Sequence, residues 1–189
     1  MAEVTQFMAD FGKSIGLEVK RDKVNNVLII KPASAGMESA PTVILQSHLD
    51  MVPQANSDVK HDFSKDPIDA HIDGDKVKAR STTLGADNGI GVAAAMAVLE
   101  DKTLKHGKIE ALFTVDEEVG MTGAFGLEPG FLTGSIMLNL DTEEEGELCI
   151  GCAGGADVNV TFQYKDVEVP KGDVAYKLSL TGLKGGHSG

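Results

Sequence analysis

Tryptophan is missing from this chain, tyrosine occurs twice, and aromatic residues make up only 5% of it, so any core must be largely aliphatic. Positive charge is also short. Seventeen Lys and Arg stand against 29 Asp and Glu, a formal net charge of -12. Such a chain repels a phosphate backbone, and no nucleic-acid partner is expected. No apolar run is long enough to span a bilayer and no charged-then-apolar leader opens the sequence, so no membrane partner is expected either. The two cysteines stand as "CIGC", Cys149 and Cys152. One such pair without a second is a weak metal or redox signal and reads more simply as small buried residues at a strand end and turn. With no export signal and so few cysteines, a reducing cytoplasm is the expected location.

What is present begins with 189 residues, 42% of them hydrophobic, enough for one domain with a core and little left for a second. Helical spacing of Val4, Phe7, Met8, Phe11 and Ile15 predicts an amphipathic first helix. "NNVLIIKP" and "TVILQSH" read as strands, and "HIDGDKVKAR" as a hairpin turning at Asp73-Gly74. The Ala-rich stretch from Asn88 to Asp101 reads as a helix, and "KIEALFTVDEE" and "SIMLNLDTEEEGE" as strands that end in acids. Alternation of strand and helix implies an α/β fold with a mixed, mostly parallel sheet covered by helices. After Gly154 the texture changes to the alternating segments "DVNVTFQYK" and "VAYKLSLTGL", which read as the opening strands of something else.

Four strand ends or strand–helix junctions carry metal-binding residue types. They are His48 with Asp50, then Asp87, then Asp116, Glu117 and Glu118, then Asp141. Each has a plainer reading alone: a core histidine, a helix N-cap, a solvated turn. Together, in one α/β sheet whose sites gather at the carboxyl ends of strands, they point to a site. An imidazole with several carboxylates suits Zn²⁺, Mn²⁺ or Co²⁺. Period-two spacing puts Asp50 on the same side of its strand as His48, where it would orient the ring. Glu117 and Glu118 point in different directions, so one can bind metal while the other takes a proton. Asp87 is the candidate to bridge two ions. The run Glu143 to Glu145 reads as a solvated face. His61, His71 and His106 fall in hairpin or loop contexts and carry no role.

The stretches "HLDMVPQ", "TTLGADNGIG", "DEEVGMTGAFGL", "NLDTEEEGE", "GCAGG" and "GLKGGHSG" together resemble the dinuclear zinc peptidases of the carboxypeptidase G2/aminoacylase superfamily. Within it they are most similar to the aminoacyl-histidine dipeptidases. That resemblance implies hydrolysis of small dipeptides, Xaa-His and β-alanyl-His among them, by a hydroxide held between two divalent ions. The ions would be zinc, with cobalt or manganese as alternatives. It implies that His48 and Asp141 hold one ion, Glu118 the other, and that Asp87 bridges. Asp50 would orient His48, and Glu117 would be the general base. His187, in "GGHSG", would stabilise the oxyanion, and the bond between Asp87 and Asn88 would be cis. It also implies a partial catalytic, metal-binding domain over 1–170, the start of an α+β lid over 171–189, and a homodimer of the longer protein. The family's chains are longer at both ends and bring a last histidine ligand back after the lid. None of the five histidines here stands in that place, so the chain reads as incomplete at both ends.

Two rival readings remain. "GIGVAA", Gly89 to Ala94, matches a dinucleotide-binding fingerprint, but it needs a buried strand directly before it. A truncated or degenerate fragment that binds metal without catalysis is the other. A serine or cysteine hydrolase is disfavoured, since no nucleophile elbow is present.

Overall fold

The computed structural model describes residues 1–142, 144, 146–151, 154 and 158–182. It falls into two units, Met1–Glu145 and Gly146–Gly189. In the first, the elements run α1 (Ala2–Ser14), β1 (Glu18–Arg21), β2 (Val27–Lys31), β3 (Val43–His48), β4 (Ala70–Asp73), β5 (Lys76–Ala79), α2 (Ala86–Glu100), β6 (Ile109–Thr114), α3 (Glu117–Gly120), α4 (Thr122–Phe125) and β7 (Ile136–Asn139).

Five strands form one sheet in the order β1-β2-β6-β3-β7, and β4-β5 form a separate hairpin. β6, β3 and β7 are mutually parallel, while β2 runs against both β1 and β6. Four strands therefore point the same way and β2 alone is reversed. Direction decides what lies at the site. The carboxyl ends of β3, β6 and β7 share one edge of the sheet, and the reversed β2 brings its amino end, just after Asn26, to that same edge.

The central strands read as continuous apolar runs because both faces are covered. On one face Val27, Ile29, Leu45, Ala111 and Phe113 pack against α1 and α2. On the other, Leu28, Ile30, Ile44 and Leu112 meet Leu127, Phe131 and Leu132 from the segment after α4. α1 buries Thr5, Met8, Ala9 and Gly12, a face turned from the expected one, and Phe7 is exposed. Gly12 explains the turn: a Cβ there would stand 2.6 Å from Val19, so the helix lies too close to β1 and β2 for larger residues.

At the end of β6 opposite the site, the fully buried Glu110 accepts from Lys108 Nζ (2.7 Å), Thr133 Oγ1 (2.5 Å) and the backbone N–H groups of Thr133 (2.8 Å) and Gly134 (3.0 Å). Burial opposes its charge, but these donors prevail and lower its pKa from 4.5 to about 2.

In the second unit no described residue lies in a helix or strand, and Val158, Phe162, Tyr176 and Leu178 are exposed. Among the described residues the strands expected there are not formed. Alternation gives a strand a face to bury, but a ladder also needs a partner's N–H and C=O groups. Among the described residues none is offered.

Candidate metal centre

β3 is buried along most of its length, and alternation turns Ile44, Gln46 and His48 to one face. His48 ends the strand 2% exposed. Its Nδ1 lies 2.9 Å from the Asp50 carbonyl oxygen and 3.5 Å from the Asp50 carboxylate. Its Nε2 faces Asp87 at 3.0 Å and Asp141 at 3.5 Å. The closer partner of Nδ1 is thus the carbonyl of Asp50. The carboxylate turns instead to the next loop, accepting the N–H groups of Glu117 (3.1 Å) and Glu118 (3.0 Å).

That loop leaves β6 through buried Val115 and winds tightly, with Asp116 at φ +55° and Met121 at φ +56° on either side of α3. Both are left-handed conformations that non-glycine residues adopt only when the surroundings enforce them. The turn projects Glu117 and Glu118 toward His48.

Asp87 opens α2. It does not cap the helix with its side chain; Gly85, at φ +81°, makes the turn, and Asp87 is directed to His48 instead. The bond between Asp87 and Asn88 is cis. Asn88, 3% exposed, donates from Nδ2 to Asp141 Oδ1 at 2.5 Å. Asp141 also gives its backbone N–H to Asn139 Oδ1 (3.1 Å), and Asn139 donates to Gln46 Oε1 (2.5 Å), whose Nε2 donates to Thr114 Oγ1 (3.1 Å). A polar row thus crosses β6, β3 and β7 beside the candidate ligands.

The structure brings His48, Asp87, Glu117, Glu118 and Asp141 together. Ligand atoms of His48, Glu117 and Asp141 lie within 4.8 Å of one another, and so do those of His48, Asp87 and Glu118. His48 belongs to both groups. Burial pulls its pKa down, but the carboxylates of Asp141, Asp87 and Asp50 outweigh burial and raise it from 6.5 to about 9. His48 in turn holds the Asp141 carboxyl below the usual carboxylate range, aided by Asn88. A cationic imidazole among carboxylates is what a centre built for divalent cations looks like when protons compensate its charge. The mixed nitrogen and oxygen donors fit the ions expected from sequence.

His187, Cys152, Glu143 and Glu145 lie outside the described residues. Glu144 is exposed, as a solvated face would be, while Cys149 is exposed against the expected burial, because no strand of the described residues carries it into a core. His61 stacks edge-on against Phe63, and His106 Nδ1 faces the Gly107 carbonyl, away from the centre. The glycines of "GIGVAA" follow a loop after the exposed β5, so the dinucleotide reading lacks its buried strand. Sequence reasoning missed Asn26, Asn88, Asn139 and Gln46. Their signal was there: amides directly beside apolar strands or acidic ligands, where a polar residue must find buried partners.

Two clefts flank Asp141. One is lined by Gln46, Thr114, Glu117, Met121, Leu127 and Met137, the other by Asp87, Asn88, Ile90, Gly91 and Thr142.

The sequence pattern of peptidase family M20/M25/M40 matches residues 44–170. The chain belongs to that family. It is 54% identical over 187 residues to the cytosol non-specific dipeptidase of Escherichia coli (strain K12), covering 99% of this chain but 39% of that protein. The crystal structure of aminoacylhistidine dipeptidase from Vibrio alginolyticus superposes with a TM-score of 0.74 at 56% identity, over 76% of this chain and 29% of that one. Aminopeptidase PepT from Bacillus cereus ATCC 10987 gives 0.63 at 27% identity, over 76% of this chain and 38% of that one. The five-stranded sheet with its helices is thus the M20 catalytic fold, and this chain spans about two-fifths of the length of its curated relative. No helix of the described residues is long and apolar enough to cross a membrane.

Proposed function

We propose that this chain carries the metal-binding framework of a cytoplasmic metal-dependent dipeptidase. The observation that carries the reading is the double membership of His48, whose ring nitrogen stands with Glu117 and Asp141 and also with Asp87 and Glu118. In this reading His48 and Asp141 would hold one divalent ion, Glu118 would hold a second, and Asp87 would serve both. When bound, such ions polarise a scissile carbonyl and acidify water. Glu117 takes a proton from the attacking water and delivers it to the leaving amine. Asp50 fixes the ring of His48 and the entry of the Glu117–Glu118 turn. His187 is assigned the oxyanion.

The substrates are small unblocked dipeptides, Xaa-His and β-alanyl-His among them. The names of the relatives support that class and differ in breadth, one non-specific and one for aminoacyl-histidine. The cleft with Met121, Leu127 and Met137 suits varied apolar side chains, since methionine adapts its shape. The Escherichia coli relative is named for the cytosol, which supports the location.

The test is the zinc content of this chain after equilibrium dialysis, with Asp87→Ala beside it. The expected result is about two zinc ions per chain, lost in the variant. Zinc-free protein would sink the reading. Because one imidazole serves both donor groups here, a second reading stands beside it: a unit that binds metal without turnover. Zinc binding with no dipeptide hydrolysis would select it.

A further inference from the structure

We infer that Asn26 is a positioning residue for the centre: its side chain clamps both ends of the loop that presents Glu117 and Glu118. This rests on the metal reading above.

Asn26 lies just before β2 and is fully buried. Its Nδ2 donates to the Gly123 carbonyl at 2.8 Å and to Asp22 Oδ2 at 2.6 Å, and its Oδ1 accepts the Val115 N–H at 3.2 Å. Two acceptors on the nitrogen and one donor on the oxygen fix which way the amide faces. Val115 and Gly123 are the two feet of the loop, already joined by Gly123 N–H to Val115 carbonyl at 3.0 Å. The Asn26 amide spans the remaining pair, the N–H of one foot and the C=O of the other.

Everything around it serves the insertion. The reversed direction of β2 brings Asn26 to the carboxyl edge, one step past the pairing of Val27 with Phe113. Asp22 accepts the backbone N–H groups of Val24 (3.0 Å) and Asn26 (2.8 Å), and so sets the turn from which Asn26 reaches out. Position 123 must be glycine, because a Cβ there would stand 2.5 Å from Asn26 Oδ1 and 2.5 Å from the Val115 carbonyl. Between the clamped feet the chain takes its two left-handed turns at Asp116 and Met121. A clamp at the feet is what keeps both carboxylates aimed at one histidine. Asn26 itself touches no ligand atom among its hydrogen bonds, so it acts through the loop.

The experiment compares Asn26→Ala with Glu110→Gln in the 189-residue chain. Glu110 lies at the other end of β6 and serves as a control for loss of stability alone. Zinc affinity is read by competition with a chromophoric chelator, and loop order by amide hydrogen exchange. Asn26→Ala is expected to weaken zinc about tenfold or more and to deprotect amides 115–123. Glu110→Gln should keep wild-type zinc affinity. If Asn26→Ala fails to fold, the pair Asp22→Asn with Asn26→Asp keeps a 22–26 bond and the acceptor for Val115 and replaces the donor to Gly123 by an oxygen that repels its carbonyl. Its affinity should then fall while the fold persists.

Unchanged exchange over 115–123 overturns the clamp whether or not zinc binds. Lost protection with unchanged zinc affinity overturns the positioning role and leaves a structural one. Equal weakening by Asn26→Ala and Glu110→Gln overturns it too. Failure of the wild type to bind zinc is a failure of the metal reading, which the Asp87→Ala dialysis identifies separately.

Discussion

The carboxylate of Asp50 accepts the backbone N–H of Glu118 at 3.0 Å while standing 3.5 Å from the ring of His48. One side chain therefore sets the relation between two proposed ligands that are seventy positions apart in the chain. Asp50→Ala is expected to weaken zinc binding by about 10- to 100-fold, the range seen when a group that orients a ligand is removed. Asp50→Asn keeps an acceptor and should lose less. Chelator competition on the two variants checks the order; equal loss would mean that charge, not geometry, is what Asp50 supplies.

In the proposed centre, zinc and protons would compete for His48. Its pKa in the metal-free fold is about 9, above its ordinary 6.5. At pH 7.5 the metal-free ring is protonated, and binding must release that proton. Calorimetry in buffers of differing ionisation enthalpy is expected to show proton release at pH 7.5 that fades as pH passes about 9. The raised pKa also fixes a sign for stability. The metal-free fold gains from His48 fully below pH 6.5 and loses that gain as pH rises through about 9.

Gly91, in α2, faces the Leu140 carbonyl just past the end of β7. A Cβ there would stand 2.7 Å from the Leu140 carbonyl and would collide with the Asn88 side chain, which holds Asp141. Gly91→Ala should cost about 1–3 kcal/mol of stability by overpacking. It should weaken zinc as well, because the displaced groups adjoin Asp141. Thermal unfolding and chelator competition test the two halves.

Glu110 predicts an acid limb. Its pKa falls from 4.5 to about 2 on folding, so its contribution is present above pH 4.5 and is lost as pH drops through about 2. By linkage the contribution is worth about 3 kcal/mol at neutral pH. Urea unfolding of Glu110→Gln against wild type should show a gap of that order at pH 7 which narrows toward pH 2.

Glu117→Gln in a catalytically active form of the protein should lower kcat by about 10²- to 10⁴-fold, the usual weight of a general base. Zinc content should stay at the wild-type value. Retained turnover would move the base elsewhere, and lost zinc would make Glu117 a ligand.

Much of the sheet was legible because its strands are short apolar runs bounded by turn residues. His48, Glu117, Glu118 and Asp141 could be proposed because each follows such a run, whereas Asp87 follows a polar loop and could be proposed only from its place at the start of the Ala-rich helix. β1 was not legible: "EVKR" is polar on an exposed edge and is a strand only because β2 pairs with it. The reversal of β2 was hidden too, since direction depends on partners far along the chain. Asn26 was hidden with it. Its three partners lie at positions 22, 115 and 123, and only the antiparallel pairing of β2 with β6 brings them within reach. The face of α1 was misjudged by about one position because Gly12, not a large apolar residue, sets the closest approach.

The parallel pairing of β3 with β7 joins segments some ninety residues apart, and Asp141 follows at its end. Contacts of that separation form late, after the cost of closing long loops has been met. A ribosome that has released the chain only to Thr114 has presented His48 and Asp87 but neither glutamate nor Asp141. If the proposed centre takes zinc, its high-affinity uptake waits on the finished sheet, and a zinc-sensitive dye becomes a clock for the last step of folding.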